Sequence, residues 1–216
     1  MRLRPDRDDD GAGDACDADP GVVVISEVHY DQATGQQEFI ELYAPSGSAA
    51  DITGWRLTDN DAPSSTSFSM TFASTDPQFN CPVPFVLNPG DRLVVYQGSG
   101  TSVCTGPSRS IYLGRAVFLS ANGDDLALFD STNACRDYVV FESAGQVGAV
   151  PAACTSFGPS TSNGDVVGKS VSRFDSLPLI DTNSRDDWEA SGTTTTTGPL
   201  SPGQPNEAAT ADTDGD

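Results

Sequence analysis

The sequence predicts an all-β protein, folded as an antiparallel sandwich of about nine short strands. Three observations lead there. Apolar positions almost nowhere recur at helical spacing. The chain is dense in breakers, with Gly 21 and Pro 15 among 216 residues. Short runs rich in β-branched and aromatic residues recur between turn signals, the pattern of a sandwich.

The runs follow in order. Val22–Val28 is the first. Glu38–Tyr43 alternates, with Phe39, Glu41 and Tyr43 on one face and Ile40 and Leu42 on the other. Ile52–Thr58 and Ser67–Phe72 come next. Asn88-Pro89-Gly90-Asp91 is a turn ahead of Arg92–Tyr96. Val117–Leu119 leads to Asn122-Gly123, a hairpin signal before Asp125–Phe129. Tyr138–Phe141 and Ser170–Phe174 complete the set. Asn60–Cys81 and Ala144–Asp165 read as long loops, and the threonine run Thr193–Thr197 as a last strand leading into a tail.

Charge narrows function. Lys and Arg number 11 against 31 Asp and Glu, a net charge of −20. Nucleic acid is excluded as a partner, because binding it needs cations to displace phosphate counterions. Insertion into a membrane is excluded too, since no apolar run approaches the roughly 20 residues of a span. The one histidine, His29, stands near Asp31 like a base with its orienter, but no G-x-S-x-G nucleophile signature accompanies it. It is expected at a strand end, facing solvent. Trp55, after Gly54, is expected between the sheets.

Five cysteines are present: Cys16, Cys81, Cys104, Cys135 and Cys154. None forms a CxxC pair, and one histidine cannot complete a Cys/His zinc set. The last four allow three pairings, of which near neighbours, Cys81–Cys104 and Cys135–Cys154, are the simplest. Two disulfides imply an oxidising compartment, hence an extracellular or cell-surface location. The start Met1-Arg2-Leu3-Arg4-Pro5 carries no export signal, so the chain is expected to be part of a longer one.

The order Ile25-Ser26-Glu27-Val28, Glu38 to Tyr43, and Asp51-Ile52-Thr53-Gly54-Trp55-Arg56-Leu57-Thr58-Asp59 resembles a lamin tail domain of the bacterial kind. Leu87-Asn88-Pro89-Gly90, Leu119 to Leu128, Ser172-Arg173-Phe174, Asp187-Trp188 and the terminal Gly203-Gln204-Pro205-Asn206 carry the likeness onward. It spans 21–206 and implies an immunoglobulin-like sandwich that binds or attaches rather than catalyses. Glu27, Glu38 and Glu41 form an acidic group able in principle to do acid–base work or hold a cation. The resemblance implies structural roles for them, bonding loop backbones or facing solvent. The long Asn60–Cys81 segment and the four body cysteines depart from the compact family pattern, and a disulfide-clamped insertion would explain both.

The acidic N-terminus is the chemical site of the sequence. Residues 1–20 hold seven Asp. Asp6, Asp8 and Asp10 take places 1, 3 and 5 of a twelve-residue calcium loop, and Gly11 stands at the sharp turn. The Ala12 carbonyl, Asp14 and Asp17 fill places 7, 9 and 12. Calcium wants six to eight oxygens, and this spacing wraps them around one point. The run resembles a thrombospondin type 3 repeat. Asp212-Thr213-Asp214-Gly215-Asp216, in the acidic tail 207–216, resembles the opening of another.

The expected function is a non-enzymatic extracellular binding module, rigidified by calcium and serving adhesion or attachment to a surface protein or polysaccharide. The alternative is an accessory domain of a secreted hydrolase, a nuclease or phosphatase, whose catalytic part lies outside this chain. A sugar-binding variant requires Trp55 or Trp188 exposed for stacking.

Overall fold

A computed structural model of the chain describes residues 22–45, 47–59, 68–116, 119–142, 150–154, 167–168, 170–173, 188–190 and 200–206. Its strands are β1 (Val24–His29), β2 (Phe39–Tyr43), β3 (Ala50–Asp51), β4 (Arg56–Thr58), β5 (Ser69–Thr71), β6 (Val86–Leu87), β7 (Arg92–Tyr96), β8 (Ser108–Tyr112), β9 (Gly123–Phe129), β10 (Cys135–Glu142), β11 (Val171–Arg173) and β12 (Trp188–Ala190). They form a six-stranded sheet in the order β12-β11-β1-β2-β7-β8, a four-stranded sheet β10-β9-β4-β5 and a small β3-β6 pair. No described residue is helical. The result is the all-β, immunoglobulin-like sandwich expected.

The predicted runs coincide with β1, β2, β4, β5, β7, β9, β10 and β11. Val117–Leu119 does not appear as a strand: Val117 and Phe118 lie outside the described residues, and Leu119 sits in a bend. Thr193–Thr197 also lies outside them. The additional strands are weakly written. β3 and β6 have 2 residues each, β12 has 3, and β8 is Ser-Arg-Ser-Ile-Tyr after a proline. β8 also departs from the antiparallel rule, because it runs parallel to β7.

Alternation builds the core. Ile25, Val28, Ile40, Leu42, Leu93, Val95 and Ile111 from the large sheet meet Leu57, Met70, Leu126, Leu128, Val139 and Phe141 from the smaller one. Ile25 and Val28, three residues apart, both face inward because the register shifts between Ile25 and Glu27. Ser26 is the extra residue of that bulge. Trp55 lies in the core at 8% exposure, as expected, and Gly54 at φ 80 makes the turn that sends it there. Trp188 is buried as well, at 5%. The stacking face that sugar binding by these two rings required is therefore absent.

Both simplest cysteine pairings are formed. Cys81–Cys104 has its Cα atoms 5.5 Å apart, and Cys135–Cys154 has them 5.1 Å apart. Cys16 lies outside the described residues. The two sheets are also tied by a buried ion pair. Arg173 of β11 reaches Asp137 of β10 with Nη2 3.1 and 3.0 Å from the two carboxylate oxygens.

Candidate functional site

The glutamates singled out in the sequence separate into two structural settings. Glu38 Oε2 accepts the Leu119 N–H at 3.1 Å and fixes the chain ahead of β9. Glu27 and Glu41 are direct cross-strand partners on β1 and β2. They stand on the face of the large sheet that points away from the core, yet they are 1% and 0% exposed.

The cover is the segment 200–206. It makes a tight turn, closed by Gln204 N donating to the Ser201 carbonyl at 2.8 Å. Ser201 donates its hydroxyl to Glu27 Oε2 at 3.1 Å, and its N–H to Oε1 at 3.4 Å. The Gly203 N–H donates to Glu41 Oε2 at 2.7 Å. The Asn206 amide donates to the Ser26 carbonyl at 3.1 Å and to the Arg173 carbonyl at 2.9 Å. Gly203 is at φ 78, and a Cβ there would run into Ser108 Oγ of β8. Close approach and left-handed backbone both demand glycine at this point. The sheet supplies the remaining donors: Ser170 Oγ to Glu27 at 2.5 Å, and Ser26 Oγ and Arg92 Nη1 to Glu41 at 2.7 and 2.5 Å.

Burial pushes the Glu41 carboxyl up to about 7, against the pull of the Arg92 guanidinium and with a further push from the Glu27 charge. Burial also raises Glu27, against its serine hydrogen bonds. A carboxyl raised toward neutrality, as Glu41 is, is what general acid–base chemistry uses. Here the pair lies beneath backbone with its oxygens engaged, which is a structural arrangement.

His29 corrects an expectation. It is 0% exposed rather than facing solvent. The period of two that puts Glu27 on this sheet face puts His29 there as well. Its register partner is Phe39, with ring centroids 5.5 Å apart. The row continues through Tyr96 to Tyr112, which stack at 4.8 Å. Burial, then the neighbouring Tyr112, push the Tyr96 hydroxyl up to about 12.

Two features of the smaller sheet were not legible in the sequence. Asp59, Asp124 and Asp125 bring carboxylate oxygens within 4.8 Å of one another, all buried. Donors are already in place: Phe68 N to Asp59 at 3.1 Å, Ser120 N to Asp124 at 2.8 Å and Tyr138 Oη to Asp125 at 2.6 Å. These hydrogen bonds give the group a structural account without a cation. Beside it lies a groove of about 440 Å³. Arg56, Thr58, Asp59, Phe129 and Asn133 line it together with the loop 151–153. The Cys135–Cys154 bridge ties the end of that loop to β10. Arg56 lies over the Phe129 ring at 4.6 Å and donates to Asn133 Oδ1 at 3.0 Å.

The calcium-loop positions Asp6, Asp8, Asp10, Ala12, Asp14 and Asp17 lie outside the described residues. Among the described residues no helix is long and apolar enough to cross a membrane. The two disulfides match an oxidising compartment.

No curated protein matches the chain. The family model of the Lamin Tail Domain matches residues 17–143, from before β1 through the end of β10. With more than half its length matched and an immunoglobulin-like sandwich formed over that stretch, the chain belongs to the Lamin Tail Domain family.

Proposed function

We propose that this protein is a non-enzymatic, extracellular binding module that carries calcium on its N-terminal acidic segment and serves adhesion or attachment. The observation that carries the reading is the state of its acids. Glu27, Glu38 and Glu41, the candidates for chemistry, are buried and occupied by backbone and hydroxyl donors. That is how a scaffold uses carboxylates, not how a catalyst presents them to substrate. Two disulfides support an extracellular setting. The groove beside β4 and β9, lined by guanidinium, hydroxyl, carboxylate, amide and aromatic groups, is the surface we propose for a protein or polysaccharide partner.

The calcium part rests on the spacing of Asp6, Asp8, Asp10, Ala12, Asp14 and Asp17. Six aspartates in twelve residues repel one another without a cation. Calorimetric titration with calcium tests it on the full chain and on Asp8→Ala/Asp10→Ala. Heat of binding in the parent and none in the variant, with the thermal unfolding of the sandwich unmoved, is the expected result. Equal binding by both proteins places the ion elsewhere and overturns the assignment.

A further inference from the structure

We propose that the segment 200–206 is a proton-controlled clasp: it closes over the Glu27–Glu41 pair in mildly acidic solution and loosens as the pair becomes fully ionised. Glu27 and Glu41 face each other across β1 and β2, both are out of water, and this segment lies on both. Two carboxylates at adjacent ladder positions repel when both are charged. Among the described residues the cation beside the pair is Arg92, which bonds Glu41 Oε1 and whose charge also pulls Glu27 down. Opening the clasp returns both groups to water, where their charges cost little. Closing it is therefore coupled to holding a proton.

Among the described residues, the surroundings leave the proton on this pair. The clasp carries no titratable side chain between Leu200 and Asn206. From β7 the facing groups are Arg92 and Tyr96, and Tyr96 stays neutral well beyond this range. β8 presents Ser108 and Ser110 by register. β11 presents Ser172 opposite Glu27, with Glu189 of β12 at the next register position. His29 lies one step along β1, against Phe39. Arg173 is turned through the sandwich to Asp137. The carboxyl pair has the raised affinity that the coupling needs.

The sign follows from linkage. A carboxyl that binds its proton more tightly in the closed form favours closure below its closed-form value and loses that advantage as pH rises toward it. The window runs from the ordinary glutamate value of 4.5 to about 7. Within it, one coupled proton changes the closing equilibrium on the order of tenfold per pH unit.

Hydrogen exchange of the full chain, read by mass spectrometry and corrected for intrinsic rates, tests the clasp. Protection of 200–206 is expected to fall steeply between pH 5 and pH 7, while amides of β2 and β9 hold theirs. In Glu41→Gln the slope should shrink to what Glu27 alone contributes. That variant also strips Arg92 of its carboxylate, so Glu27→Gln, which keeps the Arg92–Glu41 pair, is measured beside it. By removing the charge that raises Glu41, it should move the midpoint to lower pH. Asn206→Ala should weaken protection at every pH and keep the slope. Clasp protection that is flat with pH, a slope unchanged in both glutamine variants, or core amides that follow the clasp would each overturn the proposal.

Discussion

Replacing Asp137 by alanine should come close to unfolding the protein. Asp137 and Arg173 are 1% and 0% exposed at their side chains. The guanidinium takes both carboxylate oxygens, and the same carboxylate accepts the Ile25 N–H at 2.7 Å and the Tyr138 N–H at 2.8 Å. Removing it strands a buried cation, a loss of about 3–5 kcal/mol. The orphaned Ile25 amide adds roughly 1 kcal/mol or more. Against a domain stability of about 5–15 kcal/mol this is a large share. For a chain of this size the melting temperature should drop by roughly 10 °C or more. The double replacement Asp137→Leu/Arg173→Met leaves no charge behind and should cost far less than the two single changes added together. Urea unfolding followed by the fluorescence of the buried Trp55 and Trp188 reads all four corners of the cycle. A single-variant loss below about 1 kcal/mol, or an additive cycle, would refute the view that this pair locks sheet to sheet.

Three further outcomes are expected. Breaking Cys81–Cys104 or Cys135–Cys154 by serine replacement should each cost about 3 kcal/mol in urea, given sequence separations of 23 and 19 residues. Gly203→Ala, forced into left-handed backbone and against Ser108, should lose about 1 kcal/mol or more in urea unfolding and raise exchange in 200–206. Glu41 binds its proton more tightly folded than unfolded, so its contribution is complete below about 4.5 and is lost as pH rises toward 7. Stability should fall by at most about 3 kcal/mol over that window, and Glu41→Gln should flatten the curve of urea midpoint against pH.

What the sequence disclosed follows from which physical signals are local. Period-two alternation in Glu38–Tyr43 and Arg92–Tyr96 names both strand and buried face, because one residue sets the side of the next. Cysteine proximity named both bridges. The strands β3 and β6 are too short to carry a period, and β8 hides behind two serines and a proline. His29 was misplaced for a different reason. Its ring packs against Phe39, which only strand pairing brings beside it. The same holds for Asp59 with Asp124 and Asp125, which pairing brings together across 65 residues of chain. The acid group of β1 and β2 was visible as residue types. Its covering segment, more than 150 residues away, was visible only as a motif without an address.

The parallel strand β8 ends the large sheet, and an open sheet edge is a template for any extended chain that meets it. In this protein Val103 lies along that edge, exchanging backbone hydrogen bonds with Ser110 at 2.8 and 3.0 Å. The neighbour of Val103 is Cys104, bridged to Cys81 at the margin of the core. Oxidation thus does more than shorten the unfolded chain's reach. It keeps a guard in front of the strand where self-association would begin. In a reducing medium the guard loses its tether, and loss of solubility should precede loss of fold.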